Sequence, residues 1–261
     1  SYKLPSKEEL IDQRNESIDN AKKDIQELMK DVQQFNKNVE QLKKESLNSK
    51  SNSWNNLNKV QQLQQQQESL QQQLQQLQNS LNESMDEKNS LLEISPELQE
   101  KYDLLQDLLQ QVMDKEMMDL LKEMEDLLKQ NNKNQFDQKL NQFDQKSQDL
   151  NKQLDRSLEL LKKTQVNELM NDLEKSLEDL AKEQDELREK TDKNSLSKED
   201  ALKQQKDIED KFNQLKEDMK RLEDLNKDLK RPYDLDQFDK VKEEISDELK
   251  QASENLQKGK N

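Results

Sequence analysis

Two runs concentrate carboxylates in this 261-residue sequence: Glu123-Met124-Glu125-Asp126 and Glu183-Gln184-Asp185-Glu186. Carboxylates this dense suggest a calcium site or a paired acid and base. Calcium, however, needs a shaped loop that adds backbone carbonyls, usually with glycine at its bend. The sole glycine is Gly259, so both runs read as solvated helix faces and no metal is expected. Acid–base pairing needs a pocket as well as carboxylates. With 58 Asp and Glu residues in the chain, proximity alone carries no signal. Histidine is absent, which removes the commonest general base and metal ligand. Cysteine is absent too, excluding disulfides and thiolate chemistry without placing the compartment. Phosphate-cradling loops require glycine within the fold. No catalytic residue and no cofactor are expected, and the segment is not read as an enzyme.

The remaining candidates are contact residues. Met113, Met117, Met118 and Met124 fall within LLQDLLQQVMDKEMMDLLKEMEDLLK, residues 104–129. A methionine-rich helical surface can grip partner helices. The same residues also fill gaps between short helices, and the surrounding leucines favour that use. Trp54, the only tryptophan, falls off the neighbouring apolar repeat. It would either anchor a partner or cover an adjacent helix. Trp54, Met113, Met117, Met118 and Met124 therefore make up the candidate partner interface.

Whatever these residues do, helices must position them. Only 29% of the chain is hydrophobic and 39% is charged, too little apolar matter for one round core. Disordered chains tolerate this composition, and so do long helices that bury a narrow stripe. Periodicity decides for helices. Ile11, Ile18, Ile25, Val32 and Val39 step by seven; Arg14, Ala21, Leu28, Phe35 and Leu42 step three residues behind them. The glutamine-rich VQQLQQQQESLQQQLQQLQNSL, residues 60–81, keeps the same count, with leucines at spacings of four and three and glutamines outward. Further seams follow at Val166, Leu173, Leu180 and Leu187, then Ile208, Phe212, Leu215, Met219, Leu222 and Leu229, then Phe238, Val241, Ile245, Leu249, Ala252 and Leu256.

Breaks divide these runs. Ser6 with Glu9, Ser95 before Pro96, and Ser197 with Asp200 read as helix starts. Asp114 reads as the cap of a short helix, and Arg231-Pro232 stops a later one. Four regions result. Residues 1–94 form a long N-terminal coiled-coil helix with a soft Ser/Asn-rich patch at 44–56, roughly 130 Å long if residues 6–93 are one unbroken helix. Residues 95–131 form a compact pair of short helices, 132–194 a long returning helix, and 195–261 two further antiparallel helices. The expected fold is all-α, an elongated antiparallel coiled coil or helical bundle. A parallel homodimer through residues 11–81 is the structural alternative.

The net charge of −15 argues against nucleic acid and against direct docking on anionic lipid. No run of about 18 apolar residues exists to span a membrane. The sequence begins at Ser1 rather than Met, and is read as a piece of a longer protein. ISPELQEKYDLLQDLLQQVMDKEMMDLLKEMEDLLKQ, residues 94–130, resembles the helical region of large membrane-anchored bacterial envelope proteins of Bacteroidota type, of unknown function. LELLKKTQVNELMNDLEKSLEDLAKEQDELREKT, residues 158–191, and the closing DELKQASENLQKGKN are similar to the same family. The resemblance covers roughly 94–261 and implies an envelope location with this part in the periplasm; a cytoplasmic one is the alternative. It supplies no catalytic residues. The expected role is a spacer or scaffold whose partners are proteins, envelope proteins or further copies of itself. A client-gripping module of regulatory or chaperone type, using the methionine-rich pair, is the second expectation.

Overall fold

The computed structural model describes residues 7–48, 53–89, 96–112 and 115–258. Among the described residues there are seven helices and no strand: α1 (Lys7–Asn48), α2 (Ser53–Asn89), α3 (Pro96–Val112), α4 (Lys115–Lys129), α5 (Lys133–Asp192), α6 (Lys198–Lys227) and α7 (Asp236–Lys258). The protein is all-α, and its helices pack as bundles. Two compact units divide it, Ser1–Leu161 and Lys162–Asn261; α5 contributes to both. The expected caps at Ser6, Ser95 and Asp114 lie outside the described residues.

In the first unit the heptad residues are the core. Ile18, Ile25, Val32, Val39, Ala21, Leu28, Phe35 and Leu42 of α1 are buried, as are Val60, Leu63, Leu70, Leu74, Leu77 and Leu81 of α2. The expected single helix over 1–94 is corrected here: α1 and α2 are two helices packed side by side. Gln73 Nε2 donates to Asp31 Oδ2 at 3.0 Å, Asn38 Nδ2 donates to Gln66 Oε1 at 3.0 Å, and Lys59 pairs with Glu45. Along this series α1 climbs by seven while α2 falls by seven, so the two helices are antiparallel. The parallel homodimer is corrected with it, because α1 and α2 bury their seams against each other within one chain. The physical reason is that a heptad repeat has a phase and no direction. The unbroken count through the soft patch fits a fold-back as well as a straight helix. Of the patch, residues 49–52 lie outside the described residues, and its described seam residues Ser46 and Asn56 are polar but buried.

The expected compact pair at 95–131 is also corrected. Among the described residues α3 and α4 do not pack on each other; both run along α2. Gln106 of α3 donates to Asn82, while Gln61 and Gln64 donate to Glu125 of α4 at 3.3 and 3.2 Å. These pairs keep nearly one antiparallel register, so α3 and α4 form successive parts of one return track. The wide leucine stripe that suggested mutual packing faces several neighbours instead. α5 then reverses again. Its Lys139 and Lys146 pair with Glu123 and Glu116 of α4, both at 2.5 Å, seven up against seven down. It also meets α1, where Lys43 reaches Asp144 at 2.6 Å and Ser46 donates to Asp137. Phe35 and Phe143 cross edge to face with centroids 5.7 Å apart. Unit one is thus an up-down-up-down bundle in which each helix returns along its predecessor.

The second unit repeats the logic with three layers. Lys162 Nζ donates to the Asp228 carbonyl at 3.1 Å, and Gln184 Nε2 to Gln205 Oε1 at 3.0 Å, so α6 runs antiparallel to α5. Lys198 Nζ reaches the Gln257 carbonyl at 2.7 Å and Lys242 reaches Glu223 at 3.5 Å, so α7 runs antiparallel to α6.

With glycine absent from every turn, asparagine closes the helices. Asn131 (φ 53°) and Asn194 (φ 49°) take the left-handed conformation after α4 and α5. Asn132 N bonds the Leu127 carbonyl and Ser195 N the Lys190 carbonyl, the six-to-one bond of a Schellman ending. Ser197 then caps α6, its hydroxyl accepting from Asp200 N at 3.1 Å. After α6, the carboxamide of Asn226 clamps Tyr233: Oδ1 accepts from Tyr233 N at 2.8 Å and Nδ2 donates to its carbonyl at 2.9 Å. That clamp holds the chain through Pro232 so that α7 can reverse.

The hairpin yields a direct test. Cysteines replacing Asn38 and Gln66, the only two in the chain, should be joined by a short bifunctional maleimide within one monomer. A product of doubled mass would support the parallel dimer instead.

Candidate functional site

The methionine-rich helix α4 sits between α2 on one side and α5 on the other. Met117, Leu120, Leu121, Met124 and Leu128 are buried along one face of the helix. Met117 and Met124 are 1% and 0% exposed. Their thioethers fill the space between helices of unequal side-chain length, as unbranched flexible side chains do. Met118 is half-buried and packs against the edge of the same core. Met113 and the side chain of Trp54 lie outside the described residues. The structure therefore gathers Met117, Met118 and Met124 on one helix, and turns two of the three inward.

The first carboxylate run lies on the other faces of α4, and each described pairing ties it to a helix. Glu123 binds Lys139 of α5. Glu125 accepts from Lys129 one turn on, and from Gln64 and Gln61 of α2. The Lys129 ammonium, then the two glutamine amides, hold the Glu125 carboxyl below the ordinary glutamate range. The second run is similar. Glu183 takes Lys211 of α6 at 2.5 Å, Asp185 takes Arg188 at 3.6 Å and Glu186 takes Lys190 at 3.3 Å. The carboxylates point to separate cations instead of converging. Among the described residues no group of three or more His, Cys, Asp or Glu is placed to hold a metal ion.

Sequence reasoning missed one concave feature. A groove of about 240 Å³ opens among α5, α6 and α7, lined by Gln184, Leu187, Thr191, Gln205, Ala252 and Leu256. A buried amide chain runs beside it. Gln205, wholly buried, accepts from Gln184 and donates to the Leu249 carbonyl at 3.4 Å. The available signal was Gln205 itself, a polar residue four after Ala201 and three before Ile208 on the core seam. Asp185, Arg188, Asp192 and Asn255 also line the groove; Arg188 pairs with Asp185 at 3.6 Å, and the Thr191 hydroxyl donates to the Leu187 carbonyl at 2.7 Å.

Two outcomes follow from this geometry. Met124→Ala should lower unfolding free energy by about 2–5 kcal/mol, the cost of emptying a filled core site. Met118→Ala should cost clearly less, read from urea unfolding of both variants. Glu125 sets a pH dependence. Its carboxyl titrates below the ordinary value, so its stabilisation is present above about pH 4.3 and is lost as pH falls through the folded value. Wild type should exceed Glu125→Gln in stability at neutral pH, and the gap should close in acid. A gap unchanged down to acid unfolding would refute the assignment.

No protein-family model matches this chain, and neither a curated protein nor a solved structure matches it.

Proposed function

We propose that this chain is a non-catalytic interaction segment: a helical spacer or scaffold of a membrane-anchored bacterial envelope protein, which meets other proteins through its charged faces. One observation carries this reading. In the first unit, cross-helix pairs recur at seven-residue steps, as in Asp31–Gln73, Asn38–Gln66 and Glu45–Lys59, and again in Glu123–Lys139 and Glu116–Lys146. Side chains that elsewhere build sites here build a repeating scaffold. The outer faces of α5 to α7 carry exposed charges of both signs, suited to protein partners rather than to nucleic acid.

The envelope and periplasmic placement draws on the likeness of residues 94–130 and 158–191 to the bacterial envelope proteins. No described helix is long and apolar enough to cross a membrane; in this reading the anchor belongs to a longer parent chain. No observation favours the client-gripping alternative, since Met117 and Met124 are already enclosed by the chain's own helices.

Mild crosslinking in native cells tests the proposal. Lys152, Lys182 and Lys227 are about two-thirds exposed and offer reactive amines on α5 and α6. Specific envelope proteins should be recovered attached to such lysines. Recovery of cytosolic proteins alone would overturn the location. Turnover by the purified chain that vanished on one point substitution would overturn the non-catalytic role.

A further inference from the structure

The outward face of α2 differs from the rest of this charged chain. Gln62, Gln65, Ser69, Gln72 and Gln76 are all exposed, at spacings of three, four, three and four. They form a second stripe, opposite the buried Leu63, Leu70, Leu74, Leu77 and Leu81. From Asn55 to Asn82 the exposed residues of α2 include one charge, Glu68. The chain as a whole is 39% charged, with a net charge of −15. The stripe side chains make no hydrogen bond among the described residues, whereas those of inward-leaning neighbours such as Gln64, Gln66 and Gln73 are bonded to α4 or α1.

We propose that this amide stripe is the contact face for a second copy of the chain, α2 lying antiparallel on α2 about a two-fold axis near Ser69.

A primary amide both donates and accepts, so a row of them is complementary to itself. A two-fold contact requires just such self-complementarity, because residue i meets j while j meets i. Electrostatics select the face. Two copies of charge −15 repel, and most approaches bring carboxylates together. Between Asn55 and Asn82, the only exposed charge that opposes the approach is the Glu68 of each copy. Amides are well hydrated, and each exchanged hydrogen bond contributes little net free energy. The contact is therefore a weak one between spacers, not an obligate dimer interface.

This inference rests on the reading that the segment works through protein contacts, and it names one partner. The test is sedimentation velocity of the whole chain from micromolar to millimolar concentration, at low and high salt. Association should strengthen as salt screens the like charges; a contact built on ion pairs would weaken instead. Replacing Gln62, Gln65, Gln72 and Gln76 by Glu together should raise the dissociation constant by about tenfold or more, through like-charge juxtaposition. Glutamate is as good a helix former as glutamine and the sites are exposed, so helical content should not change. Glu68→Gln removes the opposing charge and should tighten the dimer, a gain that misfolding cannot mimic. Ser69→Cys, the lone cysteine in such a variant, should form an interchain disulfide on oxidation. Monomers at every concentration in high salt would overturn the inference, as would a dimer indifferent to the four glutamates and to Glu68→Gln. A chain that stayed monomeric yet crosslinked to envelope proteins would sink this inference alone and leave the scaffold reading standing.

Discussion

Outside the wider stripe of α4, the apolar seams of the helices are narrow, and everything else in the structure answers to that limit. With 29% hydrophobic residues, a helix such as α2 buries Val60, Leu63, Leu70, Leu74, Leu77 and Leu81 and leaves the rest of its circumference to water. A helix with so narrow a seam is marginal alone, since helices in proteins take most of their stability from tertiary packing of an apolar face. It must find another seam, and the nearest belongs to the adjacent stretch of the same chain. Fold-back after fold-back is the consequence: α2 on α1, the α3–α4 track on α2, α5 on α4, and in the second unit α6 on α5 and α7 on α6.

The turns make this possible under an unusual handicap. A chain that reverses repeatedly would ordinarily place glycine after each helix, where φ turns positive. Asn131 and Asn194 take that conformation instead, accepting the small steric cost their short polar side chains allow. Asn226 solves the Pro232 corner differently, spending a buried carboxamide on both backbone groups of Tyr233. An amide there replaces two backbone partners that no helix could supply.

The helices were legible in the sequence because seven-residue spacing and caps are local properties. Ser197 with Asp200 marked the start of α6, and the seam from Ile208 to Leu229 is buried or half-buried as spaced. Direction was not legible. The count through Ser46, Ser53 and Asn56 reads the same for a straight helix and for a hairpin, and only cross-helix pairs such as Asn38–Gln66 choose between them. Met117 and Met124 are buried, the use that the surrounding leucines favoured, but which helices enclose them was not legible, because the neighbours of α4 come from residues far along the chain. The seam of α5 also hid a change of phase. Phe136, Leu140, Phe143, Ser147, Leu150, Leu154, Ser157 and Leu161 follow one count, while Val166, Leu173, Leu180 and Leu187 follow another. A step of this kind moves the buried stripe around a helix, and it falls where α5 passes from one unit to the next.

Repeating seams raise a last problem, that of axial position. Leucines every three and four residues fit a neighbour almost equally well after a slip of one heptad. The residues that break the repeat supply the difference. Phe35 and Phe143 cross at one level of the first unit, and a slip of one heptad would set Phe143 against Leu28 or Leu42 and open space beside it. Ser46 is buried and donates to Asp137, while Lys43 reaches the buried Asp144. A slip of one heptad toward the start of α1 would set Asp144 against Asn36 and Asp137 against Val39, and leaving the buried Asp144 charge without its cation is costly. Gln67 interrupts the α2 seam between Leu63 and Leu70, and its buried carboxamide oxygen accepts no hydrogen bond from the described residues. That residue lowers stability where it stands, by about 1–3 kcal/mol for an unsatisfied buried group. Its presence is consistent with a seam selected for one register rather than for greatest burial, in the manner of a polar residue at a coiled-coil core position.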